Sequence, residues 1–140
     1  MTKMSQTEKQ DYLSQPYIGV LALNNSGQGP LTTPLWYDYD LGGDVSFIIA
    51  ADSRKARLIT IGERVSLVVQ QEQLPYSYVS VEGAVTSIDA TTQDALLAMA
   101  TRYLGAEQGQ RYADASDIGA QISVRMRPEN WLAVDYGKQQ

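Results

Sequence analysis

The chain has 140 residues, a formal net charge of −5, and neither cysteine nor histidine. That length suits one domain, residues 1–140, with a core of its own, and the composition excludes disulfides, thiolate or imidazole metal sites, cysteine nucleophiles and histidine acid–base chemistry. The acidic balance argues against nucleic acid as a partner, no apolar run is long enough for a membrane span, and the N-terminal residues lack the apolar core of a signal peptide, so a cytoplasmic protein is expected.

Ser5 and Glu8 fit a capping box for a short helix that ends before Pro16. Tyr17–Leu23 is rich in strand formers, and the run from Asn24 to Gly29 is a strong turn signal. Leu31–Tyr39 reads as the returning strand, with Pro34 marking an edge or a bulge. A second turn at Leu41–Asp44 leads into a third strand, Val45–Ala50, and the three strands read as an antiparallel meander. Asp38, Asp40 and Asp44 surround the Gly-Gly turn, where aspartate is favoured by turn chemistry, so no metal site is expected from them.

Ser53-Arg54-Lys55-Ala56-Arg57 follows that strand and opens a short helix, Lys55–Ile61, stopped by Gly62. It places three cations within four residues of an acidic chain, and no lysine or arginine lies between Lys9 and Arg54. A helix start offers free N–H groups and a positive dipole end, so the loop suits an anion, here a cofactor phosphate. The plain alternative is a solvated basic helix end.

Val65–Gln70 is a fourth strand, and Glu72–Pro75 a loop. Tyr78–Ile88 alternates again, with Gly83 predicting a bend or bulge and Glu82 facing solvent beside it. The period then changes. Thr92 is a candidate N-cap, and Leu96, Leu97, Met99, Ala100, Tyr103 and Leu104 form a core-facing helical stripe ended by Gly105. A second helical segment covers Glu107–Ala113, and Ile122–Met126 and Trp131–Tyr136 close the chain as strands. Six or seven strands with three or four short helices suggest a closed or nearly closed antiparallel barrel, with a small β-sandwich as the alternative. Trp36, Tyr37, Trp131 and the Tyr76–Tyr78 stretch read on their own as packing residues.

Four runs stand in register across this pattern: Thr32 to Asp40, Ser53 to Arg57, Arg64 to Val69, and Pro75 to Gly83. Together they resemble the pyridoxamine 5′-phosphate oxidase-like split barrel family, nearest to its small actinobacterial-type branch, some of whose members use the deazaflavin F420. The resemblance covers about Tyr17 to Tyr136. It implies a mainly β fold, a six-stranded antiparallel split barrel with flanking short helices. It also implies a homodimer with flavin at the subunit interface.

Carried over residue by residue, the resemblance implies that Ser53, Arg54 and Lys55, with Arg57 near by, hold the flavin phosphate. Thr33, Pro34, Leu35 and Trp36 would line the ring, and Ala50 and Ala51 would end the strand beneath it. Gln70 or Gln71 would reach toward the cofactor, and Trp131 toward that of the partner subunit. Small residues such as Ala50, Ala51 and Ala56 let a flat ring or sugar chain approach the backbone. A flavin carries the electron chemistry itself, so a chain without cysteine or histidine can still be an enzyme. The chain lacks the arginine- and histidine-containing C-terminal segment with which true pyridoxamine-phosphate oxidases hold their substrate, so another small organic substrate is expected.

The implied activity is hydride exchange between FMN and that substrate, with no residue assigned as catalytic. F420 is the alternative cofactor; its more anionic tail would favour a wider basic surface, to which Arg64 is near in sequence. A non-catalytic flavin carrier, and a ligand-free interaction domain, are the other classes open.

Overall fold

The computed structural model describes residues 2–138. Its elements are α1 (Gln6–Leu13), β1 (Gly19–Leu23), β2 (Leu31–Leu35), β3 (Asp38–Tyr39), β4 (Val45–Ala50), α2 (Arg54–Leu58), β5 (Arg64–Gln71), β6 (Ser77–Ala90), α3 (Gln93–Leu104), α4 (Ala106–Ala115), β7 (Gln121–Met126) and β8 (Asn130–Asp135). All strand pairs are antiparallel, in the order β2-β1-β5-β6-β7-β4-β3, with β8 also paired to β6. The sheet curls into a split barrel, as expected, but of eight strands among the described residues rather than six.

The difference has one main cause. The returning strand breaks at Trp36 and Tyr37, so Leu31–Leu35 pairs with β1 while Asp38–Tyr39 pairs with β4. The expected meander is thereby divided, and the two halves of one segment form the two ends of the sheet. Tyr37 explains the break. Its ring is fully buried, and its hydroxyl donates to the carbonyls of Leu13 and Gln15 at 2.7 and 2.9 Å. Gly19, opposite Leu35, makes room for it: a Cβ there would lie 3.0 Å from the Tyr37 ring and 2.8 Å from Leu67.

Alternation fills the interior. Leu21, Leu67, Val81 and Trp131 stand side by side on β1, β5, β6 and β8, and Phe47 faces Val124 across β4 and β7. Leu13 of α1 is fully buried in the same core. Each such aliphatic or aromatic side chain contributes about 1.5–3 kcal/mol when fully buried.

β6 is the seam of the barrel. It pairs with β5 along one edge; along the other it pairs first with β8, over 77–82, and then with β7, over 85–90. The link from β7 to β8 therefore crosses β6 at Gly83, where Arg127 donates its N–H to the Ala84 carbonyl and Glu129 to that of Glu82. Gly83 is required by this crossing and not by a bulge; the register shift sits farther on, between Val85 and Ser87. Glu82 likewise occupies a regular strand position, paired by Arg64 and bonded by Asn130, which hold its carboxyl below the usual range.

The helices follow the expected signals except α2, which ends at Leu58 and not at Ile61, because the chain turns extended at Ile59, whose side chain is buried in the core. Thr92 caps α3 through Ala95 N–H, and Leu96, Met99 and Ala100 are its buried stripe. α3 and α4 are joined by Gly105 alone, at φ +84, where a left-handed conformation favours glycine. The Ser5–Glu8 capping box forms, and Lys138 Nζ reaches the Glu8 carboxylate at 2.7 Å.

Two outcomes are expected. Replacing Gly83 by alanine puts a Cβ 1.7 Å from the Arg127 carbonyl oxygen, and neither backbone can yield cheaply. Urea unfolding of Gly83→Ala should show a loss of about 3 kcal/mol, the upper end of ordinary overpacking. Lys138 and the Ser5 N–H lower the Glu8 pKa from 4.5 to about 2. A depressed carboxylate adds stability above its unfolded pKa and loses it as pH falls toward the folded one. The melting-temperature gap between wild type and Glu8→Gln should thus be full at neutral pH, shrink below about 4.5, and close near 2.

Candidate functional site

The basic loop is shaped from within. β4 ends at Ala50, and Ala51 N–H is bound by the Ala120 carbonyl at 2.8 Å, which draws the loop against the start of β7. Ser53 Oγ donates to the Ala50 carbonyl at 2.7 Å and accepts from Ala56 N–H at 3.2 Å. The single hydroxyl proton of Ser53 is thus spent on the loop, and its part is to set the turn that aims the cations.

Those cations enter no ion pair among the described residues. Among the described residues the ion pairs engage Arg64, Arg102, Arg111, Arg127 and Lys138, but none of Arg54, Lys55 and Arg57. Arg54 contacts the Gln28 side-chain oxygen at 3.4 Å, and Arg57 donates to the Asp52 carbonyl at 2.9 Å. Arg64 does not join them; Glu82 and Glu129 bind it on the barrel surface. In a chain of net charge −5, three neighbouring cations outside every ion pair among the described residues are a local anion-attracting field.

Lys55 opens on a cleft of about 380 Å³ lined also by Leu35, Ala50, Tyr112, Asp117 and Gln121. A larger cleft, about 810 Å³, lies on the outer face of the sheet, between Pro16, Tyr17 and Ile18 on one side and Gln70 to Gln73 on the other. Val20, Pro34 and Val68 form its apolar floor. β2 connects the two, because Pro34 belongs to the larger cleft and Leu35 to the smaller.

The structure therefore brings Leu35, Ala50 and Lys55 together, and Pro34, Gln70 and Gln71 together. Ala51 and Thr33 stand beside these groups, on the loop and on β2. The Gln71 side-chain amide already donates to the carbonyls of Gln73 and Pro75, while Gln70 is exposed. Trp36 is stacked on Tyr103, with ring centroids 5.1 Å apart and planes 7° apart, and touches Tyr112 at 5.2 Å. Trp131 faces the barrel interior, edge-on to Tyr39 at 6.0 Å.

The sequence of the chain over residues 5–135 matches the family described as pyridoxamine 5′-phosphate oxidase. The chain belongs to the pyridoxamine 5′-phosphate oxidase family. Among curated protein sequences none matches it. Among solved structures it is similar to an F420 reductase, at 25% identity over 88% of this chain and 94% of that one, with a TM-score of 0.73. A conserved hypothetical protein of Mycobacterium tuberculosis is 23% identical over 99% and 89%, TM-score 0.77, and an FAD-binding protein of Mycobacterium smegmatis 17% over 93% and 95%, TM-score 0.63. The fold is that of this family's split barrel, and flavin-type cofactors recur among its neighbours.

Several residues of the two clefts carry no site signal in the sequence. Val20 and Val68 sit within nearly continuous apolar runs, whose pattern signals a strand covered on both faces without saying by what. Tyr112, Asp117 and Gln121 reach the Lys55 cleft only through the placement of α4 and β7.

Proposed function

We propose that the protein is an oxidoreductase that binds FMN and exchanges a hydride between the flavin and a small organic substrate. The observation that carries this reading is the set of three cations at 54–57, outside every ion pair among the described residues and beside a cleft of mixed polar and apolar lining, in a member of this family. Arg54 and Arg57 would each offer a planar fork to a phosphate, and Lys55 a point charge. Such charge-assisted bonds are the strong kind. Ala50 and Leu35 leave the neighbouring wall small and apolar. Pro34, Val20 and Val68 offer a flat apolar surface to a ring, with Gln70 as a polar contact at its margin. FMN supplies the electron chemistry when bound; the chain binds it, orients it and keeps water from it.

F420 is the second reading, favoured by the likeness to an F420 reductase and by an open groove of about 440 Å³ running past Arg57 along Asn24, Asn25 and Gln28. That groove has room for a tail beyond the phosphate, with Glu63 also in its lining and the Asn24 amide bonded to that carboxylate.

The reading includes a homodimer. Val20 stands between Pro34 and Val68, and the row continues through Ser80 to Leu132 across five strands of the outer face. Ile18, Val20 and Leu132 are 51, 37 and 59% exposed, an apolar sheet face suited to a second copy of itself. Such a partner would cover the larger cleft and complete the cofactor site. Trp131 is partly buried against the core of its own barrel, so this reading assigns it no cofactor contact.

FMN and F420 titrated separately into purified protein, followed by absorbance and fluorescence, test the cofactor. Lys55→Ala should weaken the bound cofactor by about 10- to 100-fold with the melting temperature unchanged. No binding of either cofactor at micromolar concentration would overturn the reading. For the dimer, light scattering should find two copies in wild type and one in Leu132→Asp, with cofactor affinity lost alongside; a monomeric wild type would reject it.

A further inference from the structure

Three side chains hold carbonyls of the segment 13–17, which leads into and begins one wall of the larger cleft. Arg102 donates from NH1 to Ser14 and from NH2 to Gln15, both at 2.9 Å. Tyr103 Oη lies 2.8 Å from the Tyr17 carbonyl. Tyr37 Oη takes the Leu13 and Gln15 carbonyls, as described above. The same groups bind the break in the returning strand. Arg102 Nε donates to the Tyr37 carbonyl at 2.9 Å, and Tyr103 Oη accepts from Tyr37 N–H at 3.1 Å. The guanidinium also lies over the Tyr37 and Tyr103 rings, at 5.3 and 5.5 Å, and pairs with Asp38 at 3.4 Å. Its side chain is only 16% exposed.

This arrangement does more than hold a helix to a barrel. The clamped wall, Pro16 to Ile18, faces the floor supplied by Pro34. One residue farther along β2, Leu35 enters the Lys55 cleft, and next to it Trp36 lies between Tyr103 and Tyr112. Tyr112 itself lines the Lys55 cleft. The α3–α4 pair thus connects to both clefts: Arg102 and Tyr103 hold the chain that leads into the wall of the first without lining it, and Tyr112 lines the second.

We propose that Arg102 and Tyr103 are positioning residues for the cofactor, fixing the Pro16–Ile18 wall at a set place relative to the Lys55 cleft so that ring and phosphate are gripped together. They touch no cofactor; they act through the backbone they hold. Arginine is needed because one planar fork must meet carbonyls in three directions, which the single ammonium of a lysine cannot do. The proposal rests on the cofactor reading given above.

The test uses the full chain and the variants Arg102→Gln, Arg102→Lys and Tyr103→Phe, with Lys55→Ala as control. Hydrogen exchange of the cofactor-free protein comes first. In Arg102→Gln, exchange over residues 14–18 should rise at least about tenfold while that of β5 and β6 stays as in wild type. Binding is then measured for FMN and for riboflavin, which lacks the phosphate, or for F420 and its phosphate-free chromophore if F420 is the one that binds. Arg102→Gln should weaken the phosphorylated and phosphate-free forms by the same factor, about tenfold, and shift the visible band of the bound ring. Lys55→Ala should weaken only the phosphorylated form. Arg102→Lys should fall between, and Tyr103→Phe, which keeps the stack on Trp36, should repeat the effect in smaller measure should Arg102→Gln fail to fold.

Unchanged exchange, unchanged binding despite faster exchange, full rescue by lysine, or a loss confined to the phosphorylated form would each overturn the proposal while leaving the cofactor reading standing. Wild-type protein that binds neither cofactor would instead fail the cofactor reading, and the positioning role with it; the exchange result would then still say whether the clamp itself exists.

Discussion

One segment has to serve both ends of the sheet, and the rest of the molecule follows from how it does so. β2 pairs outward to β1 and β3 pairs outward to β4, so the chain between them must leave one ladder and enter the other within two residues. The barrel is closed at this point by covalent bonds and not by a hydrogen-bonded ladder. Backbone groups released at such a break need partners, since buried and unpaired they are costly. The Tyr37 N–H and carbonyl find them on Tyr103 and Arg102, and the Tyr37 ring fills the space over Gly19. The same break places Pro34 and Leu35 in different clefts, so the need to close the barrel and the need to line a site are met by one stretch of chain.

Charge placement is the second organising fact. Most of the cation–carboxylate pairs among the described residues tie one part of the surface to another: Arg64 to Glu82 and Glu129 beside the β6 crossing, Arg127 to Asp44, Arg111 to Glu107 within α4. Exposed pairs of this kind contribute little each. Arg54, Lys55 and Arg57 stand apart because their neighbours are carbonyls, an amide and a serine cap, which orient the loop without neutralising it.

Much of this was legible in the residues. The capping box at Ser5 and Glu8, the Thr92 cap, the stripe of α3 and the basic loop rest on local rules that hold wherever the segment lies. The break at Trp36–Tyr37 was not legible, because Leu31–Tyr39 has the composition of one continuous strand; only the match of a Tyr37 ring to a glycine twelve positions before Leu31 dictates it. The role of Gly83 was read as local irregularity, yet its cause is the Arg127 carbonyl, more than forty residues away. Trp36 and Trp131 show the same limit. An aromatic residue on a strand signals burial, and whether it meets a ligand or another ring depends on partners such as Tyr103 and Tyr39 that no local pattern names.

The position of β6 has a bearing on how the protein is made. One edge of this strand is filled by β5, which precedes it, but the other waits for β7 and β8, the last strands described. β4 waits for β7 as well. On the ribosome, an emerging chain that has reached α4 already carries two long apolar strands with open edges, the condition in which nascent chains pair wrongly or aggregate. The two helices α3 and α4 are synthesised in just that interval. Their stretch of chain therefore separates, in order of synthesis, the strands with open edges from the strands that cover them.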